Sequence, residues 1–226
     1  MSTNEDYKLD NPVWYSLSET HRDFSIDYNG IKFYHPDYCP FGGFASNDGI
    51  PSHIAEYSKL VDNFFVVGEM PELSNGLDLK KELVCLQMVI EDKILLESRD
   101  VITVLGNEHR DELFQLVTAV QPGYFRMKTA LLGNYYGVFN DGKLVSVTGE
   151  RMKMDGFIEL SAIVTHPDHV GKGYAKQLIS YAVNNIFTEG KTAFLHVAET
   201  NTGAIRLYEK SGFRIRRKMS FWNIKT

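Results

Sequence analysis

The sequence is poor in cysteine and has no long apolar segment. Cys39 and Cys85 are its only cysteines in 226 residues, and neither belongs to a C-x-x-C pair. A disulfide framework and a zinc site are therefore not expected. No apolar run approaches the roughly 20 residues that a membrane span needs, and the polar start MSTNEDYKLD lacks the apolar core of a signal peptide. We expect a cytoplasmic protein without a metal site.

Basic charge is also scarce. The formal net charge is −5, which argues against general binding to nucleic acid or to an anionic membrane. The cluster RIRRK at 214–218 is a local exception, and short charge runs of this kind are typical of a solvated strand face. Apolar residues make up 43% of the chain, so it can bury a substantial core as one large domain or two small ones.

The first half of the chain predicts structure less clearly than the second. The stretches 31–35, 63–69 and 82–90 are rich in β-branched and aromatic residues and favour strands. Residues 50–62 favour a helix with a proline in its first turn, and the glycine-rich stretch 39–49 favours a loop. No catalytic pattern stands out in this half.

The second half, from about residue 97, has a regular order of elements. Strands are predicted at 100–106, 135–139, 143–152, 157–165, 192–198 and 213–222. Helices are predicted after a cap at Asn107, at 173–187, and at 201–212 after a cap at Asn201. The resulting order β-α-β-β-β-α-β-α-β predicts an α/β fold with a mixed sheet.

A glycine-bearing loop follows the predicted strand 157–165. In HPDHVGKGYAKQLI, residues 166–179, Gly171 and Gly173 would let the backbone approach a ligand closely, and the helix that follows adds partial positive charge. These features suit a pyrophosphate. The Walker pattern fails because Tyr174 stands where Ser or Thr is required, and the dinucleotide pattern lacks its third glycine. A nucleotide-binding function is therefore poorly supported, while an ordinary turn before a helix stays open.

Two motifs together resemble the GNAT superfamily of acyl-CoA-dependent N-acyltransferases. The family's loop pattern is Gln or Arg, two residues, Gly, one residue, then Gly or Ala. Gly173 and Ala175 match it, and Val170 stands in the first position. The pattern N-x-x-A-x-x-L-Y-E-K-x-G-F is met by residues 201–213. The resemblance is clear over residues 97–222. The phrases THPDH, GERM and FLHV, with PGYF upstream of them, also resemble a bacterial subgroup with a long N-terminal extension.

The resemblance implies a fold and a cofactor. The implied fold is α/β (α+β): a mixed central sheet that is splayed at the cofactor site, with flanking helices. Residues 97–226 would form the GNAT N-acetyltransferase domain and residues 1–96 an N-terminal α/β extension. The implied cofactor is acetyl-CoA (coenzyme A). The residues expected to bind it are Ile163, Val164 and Thr165 along the pantetheine arm, Val170, Gly171, Lys172, Gly173, Tyr174, Ala175 and Lys176 at the pyrophosphate, and Asn201.

The resemblance also suggests which residues move protons. Tyr208 matches the family's tyrosine and would protonate the departing CoA thiolate, although a packing role alone is the alternative. A base should take the proton from the amine. Glu159 and Glu150 lie on adjacent predicted strands, and burial could raise the pKa of either carboxyl. We prefer Glu159 because its strand is the one that splays, while a structural role stays open for both. His166 and His169 flank the loop and are weaker candidates, while the mid-strand position of His196 is more typical of a satisfied core residue than of a base.

The acceptor site is expected in the segment after the first helix of this domain and in the first half of the chain. Residues 122–129 are the predicted wall, with Phe125, Arg126 and Tyr136 as candidate substrate-binding residues. The acceptor is a small amine or a peptide amino group. Residues 1–96 have three interpretations: a degenerate copy of the same fold, a lid over the acceptor site, or a homodimer surface.

Two functions from different classes fit these motifs. The first is an acetyl-CoA-dependent N-acetyltransferase in which a primary amine attacks the thioester directly. The alternative is a non-catalytic acyl-CoA-binding sensor or scaffold. The loop and the fold serve both functions, so the proton chemistry at Tyr208 and at a buried base decides between them.

Overall fold

The computed structural model describes residues 5–46, 48–96 and 99–226, whose strands form one mixed sheet. The strands are β1 (Ser25–Asp27), β2 (Ile31–Tyr34), β3 (Phe41–Phe44), β4 (Asn63–Val67), β5 (Asp78–Ile90), β6 (Thr103–Val104), β7 (Tyr135–Asn140), β8 (Lys143–Met154), β9 (Phe157–Thr165), β10 (Thr192–Ala198) and β11 (Arg214–Lys225). The helices are α1 (Pro12–Ser18), α2 (Ile50–Tyr57), α3 (Arg110–Val120), α4 (Tyr174–Thr188) and α5 (Thr202–Lys210). Within these residues, every helix is too short or too polar to cross a membrane.

Strands from both halves of the chain alternate within the sheet. Its order is β1-β2-β3-β4-β11-β5-β10-β9-β8-β7-β6. β5 belongs to the first half, yet it lies between β10 and β11 and is antiparallel to both. The predicted division at residues 96 and 97 therefore separates two segments that share one sheet. Residue 97 itself, like residue 98, lies outside the described residues.

The second half confirms the predicted element order. β9 and β10 have the predicted bounds, and α4 differs from the predicted helix by one residue at each end. Asn201 caps α5 as expected, because its side chain accepts a hydrogen bond from the Ala204 amide at 3.1 Å. The strand predicted at 100–106 is reduced to Thr103–Val104 at the sheet edge. A short 3-10 turn at Asn107–His109 precedes α3.

Most of the errors in the predicted secondary structure lie in the first half of the chain. The loop predicted at 39–49 is wrong over its centre, because Phe41–Phe44 form β3, between β2 and β4. The ring of Phe33 fills the space that a side chain at Gly42 would occupy, so packing, rather than turn formation, requires this glycine. The helix predicted at 50–62 ends at Tyr57, and α1 has no counterpart among the predicted elements.

The sheet separates two main cores. Neighbouring residues of β10 point to opposite faces, so Leu195 packs in the core that contains Leu178 and Ile179 of α4. Phe194 packs in the core that contains Val13 of α1. α3 covers the same side of β8 and β9 as α1 does. The site described below lies where the pairing between β9 and β10 ends.

Removing the first half should therefore unfold the second. Residues 97–226 expressed alone lack β5, so β10 and β11 lose the antiparallel partner between them. We expect no cooperative thermal unfolding of this fragment by circular dichroism. Mixing it with residues 1–96 should restore a cooperative transition. Cooperative unfolding of the isolated 97–226 fragment would instead show that the two segments fold independently.

Candidate functional site

Two parallel strands separate in the middle of the sheet. β9 and β10 are paired from Phe157–Thr192 as far as Leu160–Leu195, and the pairing ends there. Just beyond, Ala162 adopts φ +50°, in the left-handed region that residues other than glycine seldom enter. The register between β8 and β9 also shifts at this point. The edge of β9 that faces β10 is thus left without a strand partner in the described residues.

A cavity of about 350 Å³ opens at this separation. β9 contributes the stretch 160–164 and β10 contributes 195–198, while α5 contributes Ala204 and Tyr208 and its cap residue Asn201 adds a third side chain. The segment after α3 and the first half of the chain supply the other side. The side chains used below are Phe41, Cys85, Tyr124, Phe125, Arg151, His196, Asn201, Tyr208 and Phe221.

The glycine loop between β9 and α4 has the shape of an anion site. Gly171 and Gly173 adopt φ +79° and +85°, and open space lies beside both Cα atoms. α4 starts at Tyr174, and its first turn carries no acidic side chain. The first amides of a helix have no partner within the helix and point toward incoming anions. The loop therefore fits the pyrophosphate of a coenzyme A ester, with glycine required for its backbone.

A buried charged cluster forms one wall of the cavity. Arg151 donates two hydrogen bonds to Glu159, from Nε to Oε2 at 2.8 Å and from Nη2 to Oε1 at 2.7 Å. His196 Nδ1 lies 2.8 Å from the same Oε1. Burial alone would raise the pKa of Glu159, but the charge of Arg151 and the hydrogen bonds from His196 and Arg151 lower this pKa to about 2. The expectation of a raised pKa is therefore wrong for Glu159.

The cluster fixes the tautomer of His196. Because Glu159 is a carboxylate, Nδ1 of His196 carries the proton that it donates to Oε1. Nε2 then holds the lone pair, and Gln87 Nε2 donates to it over 3.2 Å. Gln87 also donates to the Leu9 carbonyl at 2.7 Å, which fixes the amide in place. His196 thus borders the cavity with both ring nitrogens engaged, Nδ1 by Glu159 and Nε2 by Gln87.

Tyr208 and Asn201 enter the cavity from α5. Burial raises the pKa of the Tyr208 hydroxyl to about 12, so the hydroxyl stays protonated at neutral pH. Asn201 lines the cavity while its side chain also caps α5. The roles that the resemblance implied for them toward the cofactor stay predictions.

Some of the predicted site residues line the cavity, and others lie outside it. Ile163, Val164, Phe125, Asn201 and Tyr208 line the cavity. Thr165 lies beyond it on β9, with its hydroxyl 2.8 Å from that of Ser146. His166 and His169 lie at the loop, where Lys172 Nζ contacts His169 Nδ1 at 3.2 Å.

Three predicted residues lie away from the cavity and correct the sequence analysis. Glu150 does not face the acceptor cleft, because its carboxylate accepts from the Asn134 amide at 3.0 Å and from Lys153 Nζ at 2.9 Å. Tyr136 packs against Tyr181 of α4, with ring centroids 5.1 Å apart. Arg126 follows Phe125 but is not among the residues that line the cavity.

Arg151 and the importance of His196 were missed from the sequence. Arg151 lies eight residues before Glu159, across the hairpin of β8 and β9, and this spacing alone does not indicate an ion pair. His196 was interpreted as a core residue, and its side chain is indeed only 2% exposed. Both side chains bond the same oxygen, Oε1 of Glu159, and this contact depends on the alignment of three strands, which the sequence alone does not give.

Breaking the Arg151–Glu159 pair should cost stability in a pH-dependent way. Glu159→Gln leaves a buried guanidinium unpaired, which typically costs about 3–5 kcal/mol. The folded-state pKa of Glu159, about 2, lies below its ordinary value of 4.5. Its contribution is therefore fully present above pH 4.5 and is lost as the pH falls toward 2. Urea unfolding should show a large wild-type advantage at pH 7 that shrinks through this window.

The control is Glu91→Gln, which breaks an exposed pair with Arg214 whose side chains are 47% and 67% exposed. Such a pair contributes about 0–1 kcal/mol. Equal losses from the two substitutions would contradict the assigned role of the buried cluster.

Comparisons with known proteins identify the family. The family model of FR47-like protein matches residues 135–222. A spermidine N(1)-acetyltransferase of Vibrio cholerae is 43% identical over 53 residues, which are 23% of this chain. The match spans only 31% of that relative's length.

Solved structures extend the likeness to the whole chain. A candidate acetyltransferase of the GNAT family from Novosphingobium aromaticivorans is 29% identical, with a TM-score of 0.88 over 96% of this chain and 98% of that one. A GCN5-related N-acetyltransferase from Kribbella flavida has a TM-score of 0.64 at 15% identity, over 94% and 93% of the chains, and this likeness concerns the fold alone. The predicted GNAT fold is confirmed, and these likenesses together support a member of the GNAT superfamily of acyltransferases.

Proposed function

We propose that the protein is an acetyl-CoA-dependent N-acetyltransferase with a primary amine as acceptor. The observation that carries the proposal is the cavity at the unpaired edge of β9, which brings Tyr208 and His196 to the two sides of one gap. Acetyl-CoA would supply the thioester from which the acceptor amine takes the acetyl group by direct attack. The chain's own residues orient the two substrates and move the protons.

The cofactor-binding residues fall into two groups. Backbone groups of Ile163 and Val164 on the unpaired edge of β9 would hydrogen-bond the pantetheine arm as an added strand does. The amides from Gly171 to Lys176 would hold the pyrophosphate through the start of α4. Val170 is 65% exposed, so it does not block the pyrophosphate from reaching these amides. Its side chain lacks the hydrogen-bond donor that Gln or Arg supplies at this position in the family.

His196 is the proposed proton acceptor. His196 lines the cavity, and Glu159 holds Nδ1 and stabilises the imidazolium that forms when Nε2 takes a proton in place of its 3.2 Å hydrogen bond from Gln87. Glu159 itself is fully buried, and a carboxyl with a pKa of about 2 is a weak base. Glu159 is therefore the positioning residue and His196 the catalytic one, which reverses the preference drawn from the sequence.

Tyr208 is proposed to stabilise the departing thiolate. A hydroxyl with a pKa of about 12 is a weaker acid than a thiol, whose ordinary pKa is about 8.5. Tyr208 therefore donates a hydrogen bond to the thiolate more readily than it gives up its proton. Among the described residues, no other group accepts a hydrogen bond from this hydroxyl.

Residues 1–96 are proposed to build the acceptor side of the site. Phe41 and Cys85 of this segment line the cavity opposite α5, together with Phe125 from the predicted acceptor wall. The segment is thus part of the enzyme rather than a separate module. The cytoplasmic location and the homodimer stay predictions from the sequence.

Substitution in the loop should separate cofactor binding from stability. Gly173→Ala forces a side chain into φ +85°, at a cost of about 1–2 kcal/mol, and displaces the amides at the start of α4. We expect calorimetric titration to show acetyl-CoA binding weakened about tenfold. The matched control is Gly190→Ala at the other end of α4, with φ +73° and equally open surroundings. The control should lose similar stability and keep its affinity; a loss of affinity in both variants would contradict the loop site.

Removing the proposed base should change the pH profile as well as the rate. With an acceptor chosen from an amine screen, His196→Gln should lower kcat/KM for thiol release by roughly 10²–10⁴ and remove the acid limb of its pH dependence. The control is His21→Gln, because His21 is also buried but bonds only within the core, to Ser16, Tyr34 and the Leu132 carbonyl.

His21→Gln should lose stability and keep the wild-type profile. An unchanged profile in His196→Gln would exclude His196 as the base. Tight acetyl-CoA binding without thiol release by any amine would favour the alternative, a non-catalytic acyl-CoA sensor or scaffold.

A further inference from the structure

The guanidinium of Arg151 has unused hydrogen-bonding capacity at the cavity. An arginine carries five N–H donors in a planar fork, and Glu159 accepts from two of them, on Nε and Nη2. Among the described residues, the structure gives no acceptor for the other three. The side chain is 12% exposed and lines the cavity. This second edge of the guanidinium is accessible from the cavity and can bind an acceptor from outside the chain.

The charges around Arg151 favour an anion at that edge. Among the described residues that line the cavity there is no Asp or Glu, since Glu159 is fully buried behind Arg151 and His196. When His196 holds the proton of the amine, these three side chains carry one net positive charge. One carboxylate on the acceptor balances it, and a carboxylate matches the end of a guanidinium fork in shape. A second ammonium group would meet the positive charge instead.

The spacing within the cluster limits where that carboxylate lies on the acceptor. Arg151 Nη2 and His196 Nδ1 both lie within hydrogen-bonding distance of Oε1 of Glu159, at 2.7 and 2.8 Å. The guanidinium and the imidazole are therefore neighbours. An acceptor whose amine reaches His196 and whose carboxylate reaches the free edge of Arg151 meets two side chains held side by side by Glu159, and an α-amino acid carries its two groups in such a close arrangement.

The remaining wall of this part of the cavity is apolar. Phe41 lies over the guanidinium, with Arg151 Cζ 4.6 Å from its ring centroid. Phe221 and Tyr124 flank Phe41, with ring centroids 5.4 and 6.4 Å from it. Cys85 also lines the cavity, and burial raises the pKa of its thiol to about 12, so it adds a neutral side chain. These walls suit an apolar side chain rather than a polar or charged one.

We infer that the acceptor is an apolar α-amino acid whose carboxylate binds Arg151, and that polyamines are poor acceptors. The inference rests on the proposed acetyltransferase function. It differs from the activity in the name of the Vibrio cholerae relative, whose match covers 53 residues.

The test compares amines that differ only in the carboxylate. Phenylalanine and leucine are paired with phenethylamine and 3-methylbutylamine, and spermidine is added. Thiol release from acetyl-CoA is expected to give a kcat/KM at least tenfold higher for each amino acid than for its decarboxylated counterpart, with spermidine lowest. A higher kcat/KM for spermidine, or no difference within the pairs, would overturn the inference and leave the acetyltransferase function standing.

Arg151→Lys tests whether this arginine provides the preference. Lysine keeps the charge beside Glu159 but lacks the second edge, so the ratio of amino acid to decarboxylated amine should fall toward one. The ratio of the two kcat/KM values is measured because Arg151→Lys also disturbs Glu159. That disturbance should lower kcat/KM for the amino acid and for the amine by the same factor. Circular dichroism verifies that the variant folds. A ratio that changes in Arg126→Lys and not in Arg151→Lys would place the carboxylate elsewhere.

Measuring how tightly the acceptor binds distinguishes an error in the inferred acceptor class from an error in the proposed acetyltransferase function. Calorimetry with the CoA-saturated protein should show phenylalanine binding more tightly than phenethylamine. That result without thiol release would support the acceptor class and overturn the catalytic proposal. Absence of both binding and turnover for the amino acids would overturn the acceptor class.

Discussion

The site depends on one local loss of strand pairing. β9 and β10 stay paired as far as Leu160 and Leu195 and then diverge, with Ala162 held at φ +50°. A strained backbone of this kind costs on the order of 1–3 kcal/mol and persists only where the surrounding packing fixes it. Here α3 packs on β9, while α4 packs on both strands. The same separation supplies the unpaired strand edge proposed to bind the pantetheine arm and the cavity proposed to hold the reacting groups, so the proposed binding and chemistry share one structural cause.

The polar cluster beside the gap ties the two halves of the chain together. Glu159 neutralises Arg151 and orients His196, which in turn meets Gln87 of β5. Gln87 is held from its other side by Arg216 of β11 through a 3.0 Å hydrogen bond. β5 therefore completes the sheet and also supports the imidazole at the cavity. This arrangement explains why the first half shows no catalytic pattern of its own while the site still depends on it.

The sequence predicted the element order of the second half and, in the first half, β2, β4 and β5, but it missed β1, β3 and α1. β9, β10 and the cap at Asn201 follow from local patterns: alternation, apolar runs and capping chemistry. β3 could not be predicted, because Gly42 is needed for contact with the Phe33 ring, which is a tertiary reason. The low pKa of Glu159 was missed for the same reason, since its partners come from two other strands. The position of β5 between β10 and β11 also has no local signal.

A crystal structure with bound coenzyme A would test the central claim most directly. The account predicts that the pantetheine arm lies along β9 beyond Leu160, with its thiol within hydrogen-bonding distance of Tyr208 and on the side of the gap opposite His196. The pyrophosphate should contact the amides between Gly171 and Lys176. Coenzyme A bound elsewhere, or β9 and β10 paired through the gap in the bound state, would contradict the account.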